Sequence, residues 1–288
     1  MTRDDLEPLR HLVSEEHGRT WLDRLPRLVR ECVERWALDI GPMYSTSHVS
    51  FVAPAIDGSG RPVVLKVQFP HRECRFEAAA LEYWAGDGAV HLLAQDTARH
   101  AMLVERCEPG THLSEDRGRA LGVLTELLPR LWKPAAEPFD TLDAEAARWH
   151  EGIEREWLEA GRPYERRLLD AALEALRDLP STQGERVLVH QDLHADNVLA
   201  ATREPWLVID PKPLIGERAF SVAPIVRSYE LGHDRAAVRG RLDHVARELG
   251  LDGDRVRGWT VAQTLAWACS DGQLHQPHHV DTVRWLLD

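Results

Sequence analysis

Cysteine is scarce in this 288-residue chain: Cys32, Cys74, Cys107 and Cys269 are the only four, and no two stand in a CxxC spacing. That scatter argues against a zinc ribbon or a disulfide framework and fits a reducing cytoplasm. Lysine is scarcer still, with only Lys66, Lys133 and Lys212 among 35 basic residues. A compact ammonium and a planar guanidinium are not interchangeable at a phosphate, so the lysines that survive in an arginine-biased chain are the ones to follow. No apolar run is long enough to span a bilayer, and the opening MTRDDLEPLR lacks the apolar centre of a secretory leader. A globular cytoplasmic protein with no membrane partner is therefore expected. An excess of positive charge is also missing, the net charge being -12. That balance disfavours nucleic acid, whose phosphates attract basic surfaces, and suits a small cationic substrate drawn to an acidic cleft. There is no internal repeat and no low-complexity linker.

What is present is concentrated in residues 186–212, RVLVHQDLHADNVLAATREPWLVIDPK. Two short apolar runs, 187–189 and 206–209, each lead to a carboxylate, Asp192 after the first and Asp210 after the second. Moving a γ-phosphoryl group needs a carboxylate to orient or deprotonate the acceptor hydroxyl, and oxygen ligands to hold Mg²⁺ against the donor phosphates. The spacing His-x-Asp-x-x-x-x-Asn of His190, Asp192 and Asn197, followed by Asp210 on a later strand, matches how protein kinases meet that need. His190 is then a packing and hydrogen-bonding residue. A metal site made of His190, Asp192 and His194 is disfavoured, because the pattern lacks a separate ligand group. The histidines His275, His278 and His279 lack a nearby cysteine ligand and read as a loop cluster.

The context of the motif agrees with a kinase. Residues 49–55 and 63–67, joined by Asp57-Gly58-Ser59-Gly60, read as a β-hairpin with Lys66 near the end of its second strand. In kinases a lysine there contacts donor phosphates and pairs with a glutamate of the next helix. The apolar spacing predicts that helix over 72–85, and Glu77, in its first half, is the partner favoured by the helix dipole. The loop before the hairpin has no glycine, so Ser47 and His48 are the candidates for backbone contacts to phosphate. The strand 100–106 ends before a Pro-Gly turn, and the backbone from Glu105 to Cys107 is the expected adenine contact. Helical spacing recurs at 21–36, where Pro26 marks a kink or a new first turn, along Leu121 to Leu131, along Leu142 to Trp157, and at 259–269. Acidic Glu151 and Glu154 on the second of the later helices, and Asp271 near the end, are candidates for the cationic substrate.

In order, the strand lysine, the helix glutamate, the ERxxPGT-like hinge, HQDLHADNVL and WLVIDPK resemble the aminoglycoside phosphotransferase family. The runs WLVIDPKPLIGERAF and VSFVAPA are most similar to its streptomycin 6-phosphotransferase and hydroxyurea kinase branch. The resemblance implies an α+β, bilobal protein-kinase-like fold, with a small antiparallel N-terminal lobe (1–106) and a mostly helical C-terminal lobe (107–288). It implies ATP as donor, Mg²⁺ as cofactor, Asp192 as catalytic carboxylate, and Asn197 and Asp210 as metal ligands. The acceptor would be a hydroxyl of an antibiotic or similar small molecule. Two positions depart from the family pattern: Gln191 stands where glycine is common, and Ser221 stands where an aspartate frequently supports the catalytic loop. Three readings stay open: an antibiotic kinase, a metabolic kinase acting on a sugar or amino alcohol, and a nucleotide-binding scaffold that transfers nothing. Monomer and homodimer are both compatible with the sequence.

Overall fold

The computed structural model describes residues 8–10, 12–13, 16–46 and 49–288. The chain divides into two compact units, Met1–Gly110 and Thr111–Asp288. The first holds helix α1 (Glu16–Trp36), strands β1 (Asp39–Ile40), β2 (Ser50–Ile56) and β3 (Pro62–Gln68), helix α2 (Glu77–Trp84), and strands β4 (Leu92–Asp96) and β5 (Ala101–Glu105). The five strands form one sheet in the order β1-β2-β3-β5-β4, antiparallel throughout.

Local chemistry explains the hairpin at its centre. The Asp57 carboxylate accepts from the backbone N–H groups of Ser59 (2.9 Å) and Arg61 (3.1 Å). Gly60 supplies the left-handed backbone, φ +86°, that closes the turn. Alternation then sorts the strand side chains. Val63, Leu65 and Val67 face a core that includes Trp21, Leu25, Leu28 and Cys32 of α1, while Lys66 and Gln68 take the opposite face. Each fully buried aliphatic side chain in such a core contributes about 1.5–3 kcal/mol. α1 runs continuously through Pro26, so Pro26 does not open a new helix.

The segment after β3 differs from the single helix expected over 72–85. A 3-10 turn spans Arg72–Cys74, the chain resets at Phe76, and α2 begins at Glu77. The consequence is that Glu77 occupies the first helical position, where a carboxylate meets the positive end of the dipole.

The second unit carries α3 (Arg117–Leu131), α4 (Leu142–Glu159), α5 (Arg166–Asp178), β6 (Arg186–His190), β7 (Val198–Ala200), β8 (Trp206–Val208), β9 (Pro213–Glu217), α6 (Arg218–Ser221), α7 (Ala223–Arg227), α8 (Arg235–Leu249), α9 (Gly253–Ala266), β10 (Cys269–Ser270), β11 (Gln273–Leu274) and α10 (Pro277–Leu287). α9 starts earlier than the apolar spacing suggests, because Asp252 caps it by accepting from the N–H groups of Asp254 and Arg255. Its far end stops at Ala266, and Cys269 passes into β10. Trp149 of α4 packs on Phe220 (centroids 6.0 Å apart), and Phe220 meets Trp259 of α9 edge-on at 5.4 Å. Gly216 of β9 lets α4 come close, since a Cβ there would stand 2.8 Å from Leu142. Among the described residues, no helix is long and apolar enough to cross a membrane. The four cysteines are free thiols.

Candidate active site

Two short antiparallel pairings assemble the motif residues. In the hairpin β7–β8, Val198 lies opposite Val208, and one step further the Ile209 N–H donates to the Asn197 carbonyl at 2.9 Å. Asn197 and Asp210 therefore emerge at the same end of one hairpin. Asp210 has φ +53°, a left-handed conformation that costs a non-glycine residue on the order of 1–2 kcal/mol and lets the chain turn sharply off β8. In the other pairing, β6 lies against β9 with His190 opposite Pro213. The ladder is extended by the Gln191 N–H donating to the Lys212 carbonyl at 3.1 Å. That register is what sets Lys212 beside the loop bearing Asp192.

The loop is held by its own side chains. The Asp192 N–H donates to His190 Nδ1 (3.1 Å), so His190 carries its proton on Nε2, which donates to the Ile209 carbonyl at 3.3 Å. Burial depresses the His190 pKa to about 4, keeping the ring neutral and structural. The Asn197 amide donates to the Asp192 carbonyl at 2.9 Å and approaches His194 Nε2 at 3.1 Å. Its nitrogen is thus spent on the loop, and its carboxamide oxygen is the atom that could hold a metal ion.

Asp192 sits among cations. Lys212 Nζ is 2.9 Å from one carboxylate oxygen and an Arg227 nitrogen is 3.5 Å from the other. Burial alone would raise its pKa; Lys212, His194 and Arg227 outweigh that and bring it to about 2. Both cations also lie over one indole, with Lys212 Nζ 5.0 Å and Arg227 Cζ 4.8 Å from the Trp267 centroid. Trp149 meets Trp267 edge-on at 6.4 Å, tying that indole to the aromatic core.

Arg227 is only 6% exposed, and its second hydrogen bond goes to the Gln263 carboxamide oxygen. Gln263, fully buried on α9, donates in turn to the Gln191 carbonyl at 2.8 Å. This corrects the expectation for the loop's support. Ser221 does not reach the loop; its hydroxyl accepts from the Trp132 indole (3.0 Å) and donates to the Arg218 carbonyl (2.8 Å). Gln263 braces the loop from the other side. Arg227, Gln263 and Trp267 escape sequence reasoning, because they follow the motif at distances that carry no fixed spacing.

A group of polar side chains flanks this site. His194 Nδ1 lies 3.9 Å from an Asp196 carboxylate oxygen and 3.8 Å from one of Glu230. One ligand-type atom from each of the three falls within 4.8 Å of the others. Ser114 donates to the Asp196 carboxylate, and His112 Nδ1 donates to the Asp196 carbonyl at 2.8 Å. Tyr229, 60% exposed, packs on His233 (5.2 Å) and His278 (4.8 Å). By contrast, Glu154 is engaged by Arg166 at 2.5 Å, and Asp271 occupies a left-handed turn at φ +51°. Among the described residues, no hydrogen bond or ion pair joins Glu151, Glu154 or Asp271 to Asp192.

In the first unit, Lys66 Nζ bonds both Glu77 carboxylate oxygens, at 2.7 and 2.8 Å, and the Gln68 amide donates to Glu77 at 2.5 Å. The Lys66 and Glu77 side chains are 11% and 4% exposed. The Glu105 N–H donates to the His91 carbonyl (2.9 Å), while the Glu105 carboxylate accepts from the His91 N–H (3.0 Å). Cys107 is buried. Ser47 and His48 lie outside the described residues.

Residues 35–272 match the family described as aminoglycoside/hydroxyurea antibiotic resistance kinase. The chain belongs to that family. It is 38% identical over 268 residues to the streptomycin 6-kinase of Streptomyces griseus, covering 89% of this chain and 87% of that one. It is 36% identical over 279 residues to the hydroxyurea phosphotransferase of Kitasatospora aureofaciens, covering 94% and 81%. The structure superposes with a TM-score of 0.63 and 16% identity on the aminoglycoside phosphotransferase APH(4)-Ia, a ternary complex with AMP-PNP and hygromycin B, over 91% of this chain and 98% of that one. The fold is kinase-like and the chain is a small-molecule phosphotransferase. The reading as a scaffold without chemistry gives way to that finding.

Proposed function

We propose that this kinase transfers the γ-phosphoryl group of ATP to a hydroxyl of a cationic antibiotic of the streptomycin class. The observation that carries the reading is the carboxylate Asp192, kept ionised by Lys212 and Arg227, beside the acidic side chains of Asp196 and Glu230. A guanidinium-bearing acceptor would place its positive charge against Glu230 and Asp196, over the exposed ring of Tyr229, and offer a neighbouring hydroxyl to Asp192.

Asp192 accepts a hydrogen bond from that hydroxyl and aligns its oxygen with the γ-phosphorus. As the new P–O bond forms and the bond to the β-phosphate oxygen breaks, the hydroxyl proton passes to Asp192 and ADP leaves with the bonding pair. A carboxylate with a pKa near 2 is a weak base, so its main contribution is orientation, with proton transfer late. Lys66, oriented by Glu77, holds the donor phosphates, and the backbone of Glu105 to Cys107 takes the adenine. Asn197, through its free carboxamide oxygen, and Asp210 fit as ligands for Mg²⁺, an oxygen-seeking cation. When bound, that ion neutralises charge on the β- and γ-phosphate oxygens.

The test is ATP consumption in the presence of magnesium with streptomycin, hydroxyurea, simple sugars and amino alcohols as acceptors. Turnover with streptomycin, and a KM for it raised about tenfold or more in Glu230→Gln, is expected. Turnover confined to a sugar or amino alcohol would overturn the antibiotic reading and leave a metabolic kinase. Turnover of hydroxyurea alone would overturn the cationic acceptor.

A further inference from the structure

The first unit contains a cavity of about 460 Å³ that none of the roles above uses. It exists because β3 ends at Gln68 and the chain makes the Arg72–Cys74 turn before α2 begins. That detour stands off the β4–β5 edge of the sheet. Its volume is in the range of small-molecule sites.

The lining is basic. Arg72, Arg75, His71 and His100 contribute to it, and among the described residues no carboxylate does. Arg75 and His100 are exposed at the rim, and the Arg75 guanidinium lies over the Phe76 ring at 4.7 Å. Among the described residues, neither Arg75 nor His100 has a carboxylate partner. Gln68 enters the wall with a side chain that is only 5% exposed. Its nitrogen donates to Glu77, and among the described residues its oxygen has no donor. One face of the cavity thus carries two guanidinium groups and two imidazoles, and another presents the carboxamide oxygen of a largely buried glutamine. A phosphate monoester satisfies both: it carries nearly two negative charges for bidentate arginine contacts, and its monoprotonated form or an adjacent hydroxyl can donate to Gln68.

The cavity is coupled to the Lys66–Glu77 pair by two direct routes. Gln68 bonds Glu77, and Met102, another wall residue, is the cross-strand partner of Lys66 on one side and of Gln95 on the other. An anion bridging Arg72 and Arg75 to His100 would pin the segment before α2 to the sheet and hold Glu77 against Lys66.

We propose that this cavity is a binding site for a small phosphate monoester that strengthens nucleotide binding through Gln68 and Glu77. The coupling, though not the site itself, rests on Lys66 and Glu77 serving the donor phosphates. The experiment is calorimetric titration of the full chain with glycerol 3-phosphate, with and without saturating AMP-PNP and magnesium, in the native protein and in Arg72→Gln/Arg75→Gln. Both arginines are exposed, so the variant should fold. One equivalent of glycerol 3-phosphate is expected to bind with the donor site filled. AMP-PNP should tighten it about threefold or more, and by linkage it should tighten AMP-PNP by the same factor. The double variant should weaken glycerol 3-phosphate at least tenfold and leave AMP-PNP affinity in its absence unchanged. No binding with the donor site filled, or equal binding by the variant, would overturn the site. Binding without reciprocal tightening would overturn the coupling. Failure of AMP-PNP to bind at all would count against the proposed function, while arginine-dependent binding of glycerol 3-phosphate would still establish the cavity.

Discussion

Gln263, deep in α9, donates a 2.8 Å hydrogen bond to the backbone carbonyl of Gln191 in the loop that carries Asp192. The same side chain receives a hydrogen bond from Arg227. One carboxamide therefore sets both the loop bearing the carboxylate and a cation facing it. Replacing Gln263 with leucine removes both contacts and leaves the Arg227 guanidinium short of an acceptor. The expected result is a fall in kcat of about 10–100-fold, with nucleotide KM nearly unchanged and stability reduced by about 1–3 kcal/mol. Steady-state kinetics beside a denaturant melt check this, and unchanged kcat would remove Gln263 from the account.

Ser221 leads to the opposite expectation from its family pattern. An aspartate there would put a carboxylate into a fully buried site, against the Arg218 carbonyl and with the Trp132 indole N–H as its donor. Ser221→Asp should destabilise the protein by about 1–3 kcal/mol and give no gain in turnover. Chemical denaturation and an activity assay of the same preparation decide it.

The residues that could be read from the sequence are those whose geometry follows from short-range rules. Asn197 and Asp210 flank a hairpin, so pairing of β7 with β8 brings them to one end whatever surrounds them. Lys66 follows from the strand pattern of the hairpin, and Glu77 from its place in the first half of the helix expected after that strand. Arg227, Gln263 and Trp267 obey no such rule. Arg227 ends a five-residue helix, Gln263 lies inside a helix that reads as buried core, and Trp267 follows the end of that helix. Their meeting at Asp192 is a product of tertiary packing of α7 and α9, which leaves no periodic trace. Glu230 is illegible for a similar reason: acidic residues on a long helix form a visible group in the sequence, whereas the one beside His194 stands alone in a loop.

The buried ion pair of the first unit gives a thermodynamic prediction. Lys66→Met leaves Glu77 buried with Gln68 as a donor but without its lysine, and should cost on the order of 3 kcal/mol. Adding Glu77→Leu should recover most of that loss while activity stays low. Urea melts of the two single variants and the double variant test it, and additive losses would contradict it.

His279 makes stability depend on pH. Its folded pKa is lowered from 6.5 to about 3, first by burial and then by Arg227, His278 and His233, with Asp192 opposing. Above pH 6.5 the ring is neutral in both states and contributes no pH dependence. As pH falls from 6.5 towards 3, the unfolded chain takes up a proton that the folded chain refuses, so stability declines across that window. His279→Phe should flatten the decline, as followed by urea midpoints at pH 7, 6, 5 and 4. An unchanged profile would show that other groups govern it.

The central claim is that Asp192 carries the chemistry by orienting the acceptor hydroxyl. The direct measurement is single-turnover phosphoryl transfer to streptomycin by Asp192→Asn, with AMP-PNP affinity determined on the same sample. A rate lower by about 10²–10⁴-fold, with nucleotide affinity within a few-fold of the native protein, is expected. Transfer at the native rate by Asp192→Asn would contradict it.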